Sequence, residues 1–208
     1  VPSAEAMEAE EDTAQAEALE AEGDLDAALS KLQQAVAIDP ANDAARCEYI
    51  KLLIETGHVE QARAAWEPVA SKAIIDARIT ALGLWLSACE KAPSARSPQV
   101  LAAAIEANRR DFDARYELAQ GLMAIGRFTE SMDALLEIIM RDKVWNGELA
   151  RKTFVAILEL MSKPQPKPAA GAGAEKTKGA LELTGHAAVV PSDPVIDQYR
   201  RKLSMALF

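Results

Sequence analysis

The sequence predicts an all-α fold, a right-handed superhelical array of about four to five helical hairpins with a C-terminal capping helix. Three observations lead there. Gly23 and Gly57 lie 34 residues apart and Gly126 follows 69 later, each opening a similar phrase: Gly23 to Ala28, Gly57 to Ala62 and Gly126 to Ser131. Runs of β-branched and aromatic residues that would read as strands are missing. Aromatic residues make up 5% of the chain while alanine is abundant, which suits helices packed closely through small side chains.

Each element follows from local chemistry. Ser3 caps a first helix to about Glu22, with Glu5 and Glu8 in its opening turn and Met7, Ala14, Ala18 and Leu19 as its apolar stripe. Gly23 turns the chain, and Asp24 starts a second helix holding Leu25, Ala28, Leu29, Leu32, Val36 and Ile38 until Asp39-Pro40 stops it. The second hairpin is expected over Asp43–Thr56 and Val59 to about Lys72, with Pro68 kinking or shortening its second helix. There, Tyr49, Ile50, Leu53 and Ile54 face Ala62, Trp66 and Val69. A third hairpin, without a glycine, runs from a long helix at Ile74–Lys91 through a turn at Ala92–Pro98 to a short helix at Val100–Asn108. A fourth is expected at Phe112–Ile125 with Phe128–Arg141. A further helix spans Asn146–Met161 with Leu149, Phe154, Val155, Ile157, Leu158 and Met161 inward.

Residues 1–161 thus form the repeat array, and 162–192, rich in proline, glycine and alanine, read as a flexible linker or insert. Residues 193–208 form a last helix, capped at Ser192-Asp193-Pro194, with Ile196, Tyr199, Leu203 and Leu207 on one stripe beside Arg200, Arg201 and Lys202. A helix of this length is not stable alone, so it must dock on the array or on a partner.

A 34-residue period of helix, glycine turn and helix is the signature of tetratricopeptide repeats, whose stacked hairpins form curved surfaces that bind proteins. The chain is therefore read as a binding module rather than an enzyme. Ten of the 32 acidic residues and none of the 23 basic ones precede Ala27, so the net charge of −9 is concentrated at one end. That end would repel a phosphate backbone, and no nucleic-acid partner is expected; the acids form a solvated helix face or a flank that tunes partner choice. Two cysteines exclude a disulfide framework and point to a reducing cytoplasm. No stretch approaches the roughly 18 apolar residues of a membrane span. No signal-peptide pattern opens the chain, and Val1-Pro2 in place of an initiator methionine points to a piece of a longer protein.

The residues that could carry chemistry read as structural. His58 and His186 lack partners at metal-ligand spacing, and no cofactor is implied. Cys47 is read as a small buried residue rather than a reactive thiol. Gly121 and Gly126 form no phosphate loop, having neither a preceding strand nor a following Lys-Ser/Thr. The positions that could clamp a C-terminal carboxylate hold Thr13, Glu17, Glu48, Asp113 and Glu117, the wrong charge for the task. By helical phase Cys47, Lys51, Ile54, Tyr116, Gln120 and Met123 face the groove, where they contact an unfolded or helical segment or pack on neighbouring helices.

The phrase from Gly126 to Leu136, then Arg141-Asp142, Arg151 to Phe154 in a helix and Tyr199 to Leu203 at the end resemble the C-terminal repeat region of bacterial thioredoxin-like co-chaperones, the YbbN or CnoX chaperedoxins. Val1 to Glu5 resembles the joint after that family's thioredoxin domain. The resemblance implies a co-chaperone that binds unfolded or oxidation-damaged clients and docks on a chaperonin, with Tyr199, Arg200, Arg201, Leu203 and Phe208 at that contact. Any thiol-redox activity would reside in a thioredoxin domain outside this chain, and the insert from Lys163 is longer than the family carries. The alternative is a scaffold or homo-oligomerisation module whose last helix packs on a second copy.

Overall fold

A computed structural model describes residues 2–163 and 192–208; the linker assignment at 162–192 falls almost wholly outside them, as does His186. The described residues form ten α-helices and no strand. They are α1 (Ala4–Glu22), α2 (Leu25–Ile38), α3 (Asp43–Glu55), α4 (Val59–Trp66), α5 (Ala77–Lys91), α6 (Pro98–Ala107), α7 (Phe112–Ala124), α8 (Phe128–Ile139), α9 (Trp145–Met161) and α10 (Pro194–Leu207).

The three spaced glycines do what their spacing requires. Gly23, Gly57 and Gly126 sit at φ 85°, 81° and 77°, a region that costs glycine least. Behind each, two amides close the preceding helix: Gly57 N donates to Ile54 O at 3.1 Å and His58 N to Leu53 O at 2.8 Å, and the other two corners repeat the pattern. Ser3, Asp24, Asn42, Asp76, Ser97, Asp111 and Asp193 cap the helices that follow them with side-chain oxygens.

The α1–α2 hairpin closes through alanine. Ala9 and Ala16 face Ala28 and Ala35, all four fully buried, and small side chains let the axes approach. The buried side of α1 is Ala9, Asp12 and Ala16, whereas Met7, Ala14 and Ala18 of the expected stripe are exposed. Asp12 lies inside that face because Lys31 of α2 reaches it at 3.1 Å.

The second hairpin ends earlier than its apolar pattern. α4 stops at Trp66, and Glu67–Ile74 is a 3-10 segment. Pro68 has no amide to offer Ala65 O in that register; Arg46 Nη1 donates to this carbonyl instead, at 3.0 Å from a buried side chain. The following helix then starts at Ala77 rather than Ile74, because Asp76 caps Arg78 N and Ile79 N. α4 and α5 are locked by a bidentate pair, Arg63 to Glu90 at 2.7 and 2.8 Å, and by Trp66 Nε1 donating to Ile79 O at 2.8 Å.

The third hairpin does not close. α6 lies against α7, while the neighbours of α5 are α3, α4, α7 and above all α9. Two prolines and a 3-10 turn at Ala92–Ser94 replace the tight glycine corner, so the chain leaves α5 without folding back along it. α7 and α8 pair closely, and Ser131 Oγ donates to Ala119 O at 2.7 Å between them. α9 then packs on α5, α8 and α7. Its entry is a left-handed turn at Asn146, Gly147 and Glu148, with φ of 47°, 63° and 63°, so the regular helix begins beyond the expected start at Asn146. Phe154 and Ile157 are fully buried in one core shared by α3 to α5 and α7 to α10, while Val155 of the expected inward set faces out.

Candidate functional site: the surfaces of the helical array

Six residues assigned to the groove by helical phase separate into two groups. Cys47, Ile54, Tyr116 and Met123 are core residues. Their helix faces do point at the neighbouring elements, but those elements cover them: Tyr116 is bonded to Thr153 Oγ1 of α9 at 2.8 Å and its ring lies 5.6 Å from Trp145. Burial pushes the Cys47 thiol up to about 11 despite the nearby Arg78, so it stays protonated and unreactive at neutral pH. Lys51 and Gln120 remain half-exposed.

Around Lys51 the faces of α1 and α3 carry Glu17, Glu20, Glu48 and Glu55. Glu48 pairs with Arg78 of α5, and Lys51 lies 3.9 Å from Glu55. Burial pushes the Glu20 carboxyl up, as do Glu48 and Glu55, with Lys51 opposing and Glu17 adding to the rise. Burial raises Glu55 as well, with Lys51 opposing and Glu48 adding. A carboxyl raised in the fold is penalised when charged, so this contribution destabilises the native state at neutral pH and disappears as pH falls through the folded pKa. E20Q and E55Q are therefore expected to raise the thermal midpoint at pH 7 and to lose that advantage near pH 4; an equal gain at both pH values would refute the electrostatic origin.

Four of the five positions weighed for a carboxylate clamp are acidic, and Glu117 is engaged: it accepts from Arg96 Nε at 2.9 Å and from the Arg96 backbone amide at 2.7 Å, which lowers its carboxyl. Among the described residues no group of His, Cys, Asp and Glu is arranged to hold a metal ion, and no helix is long and apolar enough to cross a membrane.

On α10, Ile196 and Tyr199 are buried and Leu203 and Leu207 half-buried against the main core. Tyr199 donates to Asp133 of α8 at 3.0 Å, its ring lies 6.3 Å from Phe154, and Lys202 stands 4.4 Å above it. Burial, then the Asp133 bond and charge, push its phenol up to about 12. Of the residues assigned to a partner contact, Tyr199 and Leu203 thus face the array, whereas Arg200, Arg201 and Phe208 point outward.

The surface that helical phase missed lies between the 3-10 segment and α9. Ile74 and Ile75 are 91% and 88% exposed and line a groove of about 470 Å³ with Ala77, Val155 and Ala156, together with charges of both signs, Glu148, Arg151, Lys152 and Glu159. Two adjacent isoleucines left in water beside an apolar groove form a candidate binding surface. The signal was present in the sequence: Pro68 ends one helix and Asp76 caps the next, which leaves Ile74-Ile75 in the connector.

Helical hairpins at α1–α2, α3–α4 and α7–α8 define a helical-repeat architecture. Two family models, both described as tetratricopeptide repeat, match residues 19–73 and 91–171. The chain carries tetratricopeptide repeats, a fold that serves as a protein–protein interaction module and is typically non-catalytic. A search of curated proteins returns no match.

Proposed function

We propose that this array is the repeat region of a thioredoxin-like co-chaperone that holds unfolded client segments and presents them to a chaperonin. The observation that carries the client-binding part is the Ile74-Ile75 pair beside its apolar groove. Exposed aliphatic side chains in a groove suit short apolar stretches that a folded protein would bury, and Glu148, Arg151, Lys152 and Glu159 around them keep the surface soluble. The co-chaperone part is supported by the motifs at Gly126–Leu136 and Tyr199–Leu203, and the outward Arg200, Arg201 and Phe208 are the proposed chaperonin contact.

The test is light scattering from a thermally unfolded client with and without the protein. Suppression is expected, and the I74D/I75D double variant should lose most of it at unchanged thermal midpoint, since neither side chain is buried. Absence of suppression, together with no chaperonin recovered by pull-down, refutes the reading. The scaffold alternative predicts concentration-dependent sedimentation through α10; a concentration-independent monomer removes it.

A further inference from the structure

A second groove, of about 590 Å³, opens between α6, α7 and α8 and shares no residue with the first. Its floor is apolar, with Ile105, Leu118 and Ala134, and three arginines meet over it: Arg109, Arg115 and Arg141. Arg115 is the informative one. Its side chain is only 11% exposed, and its Nε donates to Arg109 O at 2.9 Å. The nearest carboxylate oxygen, on Glu137, lies 3.9 Å from Nη1, beyond hydrogen-bond reach, and that carboxylate already binds Arg141. A guanidinium carries five N–H donors, so four of those on Arg115 hold no acceptor among the described residues.

These donors are not sealed from water, and the other charges of the groove leave them without a close protein partner. Asp133 is engaged by Tyr199 at 3.0 Å and by Lys202 at 3.5 Å. Glu106 is exposed on the outer edge. Arg109 is exposed, and its side chain makes no ion pair or hydrogen bond among the described residues. Burial and the neighbouring Arg141 and Arg109 push the Arg115 guanidinium down, against the pull of Glu137. Crowded cations over an apolar floor are relieved by a carboxylate, and an arginine fork receives one through two parallel bonds.

We propose that the groove between α6, α7 and α8 receives an acidic, leucine-rich segment of a partner protein, one carboxylate seated on Arg115 and Arg109 and an adjacent aliphatic side chain on Ile105 and Leu118. The inference rests on the reading of the chain as a protein-binding array and is independent of the co-chaperone assignment. This face is separate from the Ile74-Ile75 groove, so the two sites fail separately.

The probe is a fluorescein-labelled hexapeptide, Glu-Leu-Glu-Glu-Leu-Glu with blocked ends, followed by anisotropy against the full chain. Saturable binding that weakens with salt is expected. R109E and R115K should each weaken it about tenfold to a hundredfold, the range for losing a hydrogen bond to a charged group. R109E alters an exposed side chain and should leave the thermal midpoint and client aggregation unchanged, and R151E on α9 should leave peptide binding unchanged. Equal affinity for the Gln-Leu-Gln-Gln-Leu-Gln peptide overturns the proposal, as does binding indifferent to R109E and R115K. Inorganic phosphate saturating the Arg115 Nε–H resonance while the peptide does not compete also overturns it, and so does self-association in sedimentation that R109E abolishes.

Discussion

Phe154→Ala is expected to lower the free energy of unfolding by about 3–5 kcal/mol, the range for truncating a fully buried aromatic side chain. Phe154 is 0% exposed and sits where α9 meets the main core, with Tyr199 of α10 on its other side. The cavity cannot collapse easily, because Ile157 and Ile138, also fully buried, belong to the same core. Urea unfolding measures the loss as a lower midpoint at unchanged slope. Val155→Ala is the matched control, since that neighbour is 47% exposed and should cost within about 0.5 kcal/mol. Equal effects of the two substitutions would mean that α9 is not packed as described. Loss of Phe154 should also loosen α10, which can be followed by faster amide exchange at Tyr199 and Leu203.

Gly83→Val is expected to cost about 2–3 kcal/mol, in spite of the better helix propensity of valine, because the new side chain enters occupied space. A Cβ at Gly83 would stand 2.6 Å from Trp66 Cζ2 and 3.0 Å from Cε2. The indole cannot step aside cheaply: its Nε1 donates to Ile79 O, and Arg63 stacks over the ring at 5.0 Å. The Trp66 ring of α4 therefore lies directly against the Gly83 position of α5, and an added side chain forces the two helices apart. Trp66→Leu removes the obstructing ring, so the double variant should be more stable than the two single losses predict. Strict additivity would show that Gly83 and Trp66 do not meet.

The parts legible in the sequence are those set by neighbours along the chain. Each glycine corner closes on carbonyls three to five residues back, and Asp24, Asp76 and Asp193 cap by reaching amides two or three residues on. The stripe Ile196, Tyr199, Leu203 and Leu207 was readable because large apolar residues contrast with the charged ones between them. α1 lacked that contrast. With alanine on several sides the hydrophobic phase is nearly flat, and the buried side was decided by where α2 offers Ala28, Ala35 and Lys31. Tyr116 and Met123 show the same limit at the site: helical phase puts them towards the groove, but whether water or another helix lies there depends on α9, which comes from beyond the left-handed turn at Asn146–Glu148.

By itself the sequence determined that the described residues are helical, where the three glycine corners turn and which residues begin most of the helices, because backbone conformation at a glycine, a proline or a cap is a local free-energy difference of about a kilocalorie per mole. Only the tertiary structure decided that α5 turns from α6 to α9 and that three arginines line one groove with Ile105 and Leu118. Those outcomes depend on contacts between segments far apart in the chain, whose burial free energies are larger than any local preference and leave no periodic trace to read.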